Sequence, residues 1–270
     1  MQLRSLGYQT ELLVNGFENR IEDRGDHVFV QTLNNPGFFW GNLLIFRRPP
    51  AAEDLEPWQD KFREAFAHEP KVKHCTFAWD SPTAERGEGQ AFVDQGFNWE
   101  ESVVITASEI HAPPKVHTGI DVRPLATDDE WKACYRNQLN SRPSHLAEVP
   151  FAVFKRKQIE RYRRMDQAGL GHWYGAFLGK KLVADLGIYV SESGLGRYQN
   201  VMTHPDHRRQ GIAGTLVWKA GQHALQTRAK RLVMIADEGD HPVQIYISCG
   251  FQPTEKMIGL YRWPKEDGRK

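Results

Sequence analysis

"VMTHPDHRRQGIAGTLVWKAGQHAL" runs from Val201 to Leu225. It begins with β-formers, turns at Pro205, passes Arg208 and Arg209, and meets Gly211 and Gly214. It then takes helical spacing, with Leu216, Ala220 and Leu225 among its apolar positions. A strand that feeds a helix through a tight turn leaves the first helical N–H groups unpaired. The helix dipole adds roughly half a positive charge there. Together they make an anion site suited to phosphate. Gly211 and Gly214 let the backbone approach a ligand closely because no Cβ intervenes, and Ala213 is nearly as small. Arg208 and Arg209 add full positive charge. Two other phosphate loops do not fit. There is no G-x-x-x-x-G-K-[ST], which disfavours a nucleoside triphosphatase, and no G-x-G-x-x-G after a strand, which disfavours a nicotinamide dinucleotide.

The surroundings of this turn read in order. Ile120 to Leu125 is a strand, and Thr127 with Glu130 forms a capping box at the start of a helix. Phe151 to Gln167 is a second helix with a basic outer face. His172 to Val190 is a pair of strands turning at Gly179 and Lys180, and Gly196 to Thr203 is another strand. After the helix Gly211 to Leu225 comes the apolar strand "RLVMIAD" (Arg231 to Asp237). A helix follows from Pro242 to Cys249. Gly250 ends it, and "FQPTEKMIGLYRW" returns as strand. The order β-α-α-β-β-β-α-β-α-β predicts an α/β (α+β) class: a mixed, mostly antiparallel sheet flanked by helices.

"HAPPKVHTG" (His111 to Gly119) reads as a linker. It predicts a first domain over 1–112, a linker at 113–118 and a second domain over 119–270. The first half carries a faint copy of the second. "KHCTFAWD" (Lys73 to Asp80) parallels "KRLVMIAD" (Lys230 to Asp237), and "FVDQGF" (Phe92 to Phe97) parallels "YISCGF" (Tyr246 to Phe251). "GNLLIF" (Gly41 to Phe46) and "LEPWQDKFREAFA" (Leu55 to Ala67) fall where the strand and helix around the basic turn fall. Matches in one order point to duplication and divergence.

The 270 residues are long enough for one large domain or two ordinary ones, and 40% hydrophobic with 26% charged residues is globular composition. The formal net charge of +1 gives no global pull toward nucleic acid or membrane. Cys75, Cys134 and Cys249 are far apart and odd in number, so reduced thiols in a cytoplasmic protein are expected. His204 and His207 have no third ligand in view, so no metal is expected. No signal peptide and no membrane-length apolar run appear.

Arg208, Gly211 and Ala213, directly after "VMTHPDH", resemble the [QR]-x-x-G-x-[GA] acyl-coenzyme-A signature of the GNAT N-acetyltransferase superfamily. The resemblance extends in element order from Ile120 to about Trp263, including Y-x-x-x-G-F at Tyr246 to Phe251. It implies the acyl-CoA N-acyltransferase fold, acetyl-CoA as co-substrate, and a degenerate N-terminal copy. It also implies that Arg208, Arg209, Gln210, Gly211, Ile212, Ala213 and Gly214 hold the coenzyme diphosphate. Val201, Met202 and Thr203 would lend backbone groups to the pantetheine arm.

Acetyl transfer to an amine needs a neutral amine, a stabilised oxyanion and a protonated leaving thiolate. A backbone N–H near Val201 or Met202 can serve the oxyanion. By resemblance, Tyr246 supplies the proton; a phenol of ordinary pKa about 10 is protonated at neutral pH. Asn200 or Gln199 can orient an amine or a water. Gly239 and Pro242 depart from the family pattern, and Arg197 stands where some relatives carry glutamate. Asp185, Glu192, Glu238 and His172 remain as candidate bases. In the first half "RRPPAAEDLEPWQ" (Arg47 to Gln59) lacks the phosphate motif and is acidic, and Phe92 replaces the tyrosine. Its aromatic residues read mainly as core.

The function these readings imply is acetyl-CoA-dependent transfer to a primary amine of a small molecule, amino acid derivative or peptide. A non-catalytic coenzyme-A-sensing or protein-interaction module on the same scaffold is the alternative. A third reading is transfer from another donor, with the basic run Phe154 to Arg164 keeping a tRNA donor open. Near-neutral charge disfavours nucleic acid.

Overall fold

The computed structural model describes residues 3–144, 146–237 and 241–264. Contacts divide the chain into one unit of 1–103 with 255–270 and a second of 104–254. The division falls before residues 113–118 and gives most of the last strand to the first unit, whereas the sequence placed 119–270 together. The reason is pairing: strands join the sheet edge that completes their hydrogen bonds, whatever their distance along the chain.

The first unit contains α1 (Leu6–Asn15), β1 (Arg20–Asp23), β2 (His27–Gln31), β3 (Asn42–Phe46), α2 (Leu55–Ala65), β4 (Cys75–Trp79), α3 (Gln90–Asp94) and the start of β5 (Asn98–Ala107). The second contains the end of β5, then β6 (Asp121–Pro124), α4 (Asp128–Leu139), α5 (Glu148–Gln167), β7 (Gly171–Leu178), β8 (Lys181–Val190), β9 (Leu195–Thr203), α6 (Ile212–Thr227), β10 (Arg231–Asp237) and α7 (His241–Ile247). β11 (Gln252–Arg262) begins in the second unit and runs back into the first.

In the first unit the strand order is β1-β2-β3-β4-β11. β3 and β4 are parallel, and β11 pairs antiparallel with β4 from Gly259↔Ala78 to Arg262↔Cys75. The core is aromatic: Phe46 stacks on Trp58 at 3.6 Å, with Phe77, Trp79 and Phe92 around them. Ile258 and Leu260 of β11 belong to the same core. Tyr8 donates its hydroxyl to the Ile258 carbonyl at 2.6 Å, and the Leu6 N–H donates to Glu255 at 2.8 Å.

In the second unit the order is β5-β10-β9-β8-β7-β6. The contacts β6–β7, β7–β8 and β8–β9 are antiparallel, and β9–β10 is parallel. The sheet is mixed and mostly antiparallel with helices packed on it, as expected. α6 buries Leu216, Val217, Ala220, Gly221 and Ala224; of the apolar positions read from its spacing, Leu216 and Ala220 are buried and Leu225 is half-buried. Gly221 is small because β9 comes close: a Cβ there would stand 2.3 Å from the Tyr198 hydroxyl, which donates to the Val217 carbonyl at 2.9 Å.

The capping box at α4 forms as read. Thr127 accepts from the Glu130 N–H, and Glu130 accepts from the Thr127 and Ala126 N–H groups. Thr127→Ala is expected to lower stability by about 1 kcal/mol in urea unfolding. Arg123 beside Glu130, with these amides, holds its carboxyl down at about 2. The folded state prefers the ionised form, so Glu130 stabilises above its ordinary pKa of 4.5, and this contribution fades as pH falls toward 2. The stability gap between wild type and Glu130→Gln should therefore be full at pH 6 and smaller at pH 3.

The basic run from Phe154 to Arg164 is not simply a solvated face. Lys155 and Tyr162 are buried. All cysteines are free; Cys134 and Cys249 are buried and Cys75 is half-buried. Among the described residues no helix is long and apolar enough to cross a membrane.

Candidate active site

Among the described residues β9 and β10 pair only from Leu195↔Arg231 to Arg197↔Val233. Beyond that register the strands part, and the rest of β9 keeps its partner only on the β8 side. Backbone groups of Tyr198 to Thr203 on the β10 side are thus left without a strand to pair with.

The chain then turns toward α6. A short 3-10 turn spans Pro205–His207. Arg209 and Gly211 both take left-handed backbone, at φ 61° and 85°. This curls successive N–H groups around a concavity of the kind that holds anions. The helical ladder starts with the Thr215 N–H donating to the Gly211 carbonyl at 3.1 Å. The amides of Ile212, Ala213 and Gly214 precede that first bond and have no intrahelical acceptor. Lys115 braces the turn, donating its ammonium to the Arg209 carbonyl at 2.8 Å. Arg208 is tied to the strand end through its Nε and the Thr203 carbonyl at 3.2 Å.

These elements enclose a cavity of about 610 Å³. Its walls include Val201, Met202 and Thr203 from β9, Arg208, Arg209, Gly211, Ile212, Ala213 and Gly214 from the turn, and Tyr246 from α7. Tyr246 is 7% exposed. Gln210 is not among the wall residues; its side chain turns to the Asp206 carbonyl at 3.4 Å. Asn200, expected in a catalytic role, does not line the cavity either. Its backbone is left-handed at φ 46°, and its amide donates to Gln158 of α5 at 2.9 Å. The backbone twist aims the side chain at α5 instead of into the space between the strands.

Residues 113–118, expected as a linker, pack against the start of α6. The His117 N–H donates to the Thr215 hydroxyl at 2.9 Å, and Pro113, Pro114 and Lys115 line the cavity. Paired prolines exclude regular structure, which reads like a linker, but they do not exclude packing. Lys115 was a cation in plain view, and only its distance along the chain from Arg209 hid it. Ile245 and Ser248 of α7 were also missed.

Thr203 is a wall residue, and its hydroxyl is buried with no hydrogen-bond partner among the described residues. A buried hydroxyl is normally satisfied, so a polar ligand arm along β9 that reached Thr203 would supply the partner it lacks. Thr203→Val is expected to weaken coenzyme A binding by about threefold to tenfold, the worth of one hydrogen bond. The melting temperature without ligand should hold or rise. Calorimetric titration and a thermal melt check the opposite signs.

Among the described residues the candidate bases do not converge on this space. Asp185 is fully buried behind β9. His172 lies 3.4 Å from Asp166, which raises its pKa, and Glu192 is exposed. Arg197 is buried with its Nε donating to the Tyr198 carbonyl at 3.0 Å. Glu238, Gly239 and Asp240 lie outside the described residues, as does the side chain of Pro242. Among the described residues, no group of three or more His, Cys, Asp or Glu converges as a metal site would require.

The model of the Acetyltransferase (GNAT) family matches residues 129–251, the stretch holding the parted strands, the amide turn and α7. This part of the chain is a GNAT acetyltransferase domain. Solved structures carry the same fold over nearly the whole chain. A conserved protein of unknown function from Staphylococcus epidermidis is 10% identical with a TM-score of 0.70, covering 92% of this chain and 95% of that one. A GCN5-related N-acetyltransferase from Kribbella flavida is 16% identical with a TM-score of 0.66, covering 96% of both chains. A GCN5-related N-acetyltransferase from Sphaerobacter thermophilus is 14% identical with a TM-score of 0.59, covering 92% and 84%. No curated protein matches the chain. The GNAT domain makes the protein an acyltransferase whose general reaction is acyl transfer from an acyl-CoA.

Proposed function

We propose that the protein is an acetyl-CoA-dependent N-acetyltransferase. It moves the acetyl group to a primary amine of a small molecule, amino acid derivative or peptide by direct attack. The observation that carries this reading is the meeting of the parted β9 edge, the amide turn and Tyr246 around one cavity. Acetyl-CoA supplies the activated thioester. The turn from Arg209 to Gly214 holds its diphosphate, with Lys115, Arg208 and Arg209 adding charge. Thr203 and the β9 backbone hold the arm, an amide at Val201 or Met202 meets the developing oxyanion, and Tyr246 protonates the departing thiolate.

The first unit is a degenerate copy in this reading. Its elements β3, α2, β4, α3 and β5 repeat the order β9, α6, β10, α7 and β11, and β3–β4 is parallel like β9–β10. The position before α2 is filled by the chain's own carboxylate: Asp54 accepts from the Ala51 N–H at 2.6 Å and pairs with Arg48. Phe92 stands where Tyr246 stands, fully buried against Trp58. A phosphate would meet an anion there, and a thiolate would meet no proton donor.

The test is release of thiol from acetyl-CoA across a panel of primary amines, with coenzyme A binding followed by calorimetry. Amine-dependent release is the expected result. Absence of coenzyme A binding would overturn the reading.

A further inference from the structure

Behind β9, toward α4 and α5, lies a polar cluster for which the proposed chemistry has no use. Asp185 of β8 sits at its centre, fully buried. Its Oδ1 accepts from Gln138 Nε2 at 2.6 Å and Trp173 Nε1 at 3.1 Å, and its Oδ2 accepts from Asn137 Nδ2 at 2.7 Å. The same amide nitrogens also reach β9. Gln138 Nε2 donates to the Asn200 carbonyl at 2.8 Å, and Asn137 Nδ2 approaches the Met202 carbonyl at 3.5 Å. These carbonyls flank a β-bulge. Asp185 stands opposite Met202 and Gly187 opposite Gln199, so Asn200 and Val201 together face Leu186.

A side-chain amide has a donor end and an acceptor end, while an ionised carboxylate only accepts. Asp185 therefore obliges both neighbouring amides to turn their NH2 groups toward it. Asn137 complies at a cost, because its Oδ1 is buried with no partner among the described residues. Buried amide oxygens are normally satisfied, so the carboxylate dictates this orientation. On Gln138 the oxygen end is met by Lys155 Nζ at 3.5 Å, which favours the same orientation.

We propose that Asp185 is a positioning residue: through Gln138 and Asn137 it sets the β9 bulge and so aims the Val201 N–H at the thioester arm of the coenzyme. The link is the peptide plane. In a trans peptide the N–H of Val201 points opposite to the Asn200 carbonyl. Holding that carbonyl toward α4 sends the N–H the other way, and Val201 lines the cavity. A carboxylate that never touches the ligand thus orients the amide that does. The proposal rests on the acetyl-CoA reading above.

The charge states agree with the geometry. Burial pushes the Asp185 carboxyl up to about 6, so the acceptor-only form prevails at neutral pH. The titratable groups facing it are Cys134 of α4 and Lys155 of α5. Burial keeps the thiol protonated and lowers the ammonium to about 8, which still leaves it mostly charged at pH 7. β7 contributes Trp173, which does not titrate.

The test compares acetyl-CoA with 3′-phospho-ADP, which keeps the phosphates and lacks the pantetheine arm. In Asp185→Asn the replacing amide must offer its own NH2 to one of the two neighbours, which then flips. Binding of acetyl-CoA should weaken by about tenfold, while binding of 3′-phospho-ADP stays within about twofold. Gln138→Met removes the link and keeps the carboxylate with its other donors. It should give the same split, and it decides the matter should Asp185→Asn fail to fold. Equal weakening of both ligands would mean general loosening and would overturn the proposal. So would unchanged acetyl-CoA binding in Gln138→Met. A wild-type protein that binds neither ligand would instead overturn the coenzyme reading itself.

Discussion

Tyr246→Phe is expected to lower turnover at saturating acetyl-CoA by about a hundredfold or more, the usual worth of a positioned general acid, while acetyl-CoA affinity changes by less than about threefold. Phenylalanine keeps the ring that packs at the cavity wall, where Tyr246 is 7% exposed. Only the hydroxyl is lost, so binding contacts survive and proton delivery does not. The measurement is thiol release with the best amine of the panel, beside a coenzyme titration. Equal turnover would remove Tyr246 from the chemistry. A parallel loss of affinity would make it a binding residue.

Gly211→Val should have the other large effect, on affinity instead of turnover. Gly211 has φ 85°, and a Cβ there would stand 2.6 Å from the Lys115 carbonyl oxygen. A β-branched residue resists that backbone, and the turn cannot relax outward without displacing Lys115, whose ammonium is bonded to the Arg209 carbonyl. The amides that precede the α6 ladder would then no longer converge. Coenzyme A affinity is expected to fall by about a hundredfold, or ~2.7 kcal/mol. Gln210→Ala is the control: its side chain is not part of the wall, and affinity should stay within about twofold. Normal binding by Gly211→Val would mean that the diphosphate is held elsewhere.

The second half was legible in its elements because the signals were local. Gly250 closes the turn that follows α7, Thr127 and Glu130 start α4, and the spacing of Leu216 and Ala220 marks the buried face of α6. What escaped depended on partners distant in sequence. The left-handed turn at Asn200 arises from the uneven register of β9 on β8, and no pattern around Asn200 announces it. Lys155 sits in a run of charges that reads as solvated, yet it is drawn inward by Gln158 and the field of Asp185. Pro113 to Lys115 lack periodicity, so nothing local marked them as a wall of the cavity.

β4 has β3 on one side and β11 on the other, and β11 supplies Ile258 and Leu260 to the core around Phe77 and Trp79. The ribosome makes β11 after all the other strands. Until those residues emerge, the nascent N-terminal unit holds an open strand edge and an uncovered aromatic core, both prone to stray pairing. Its completion therefore waits for β11, and a chaperone that shields the β4 edge until β11 emerges should raise the yield of native protein.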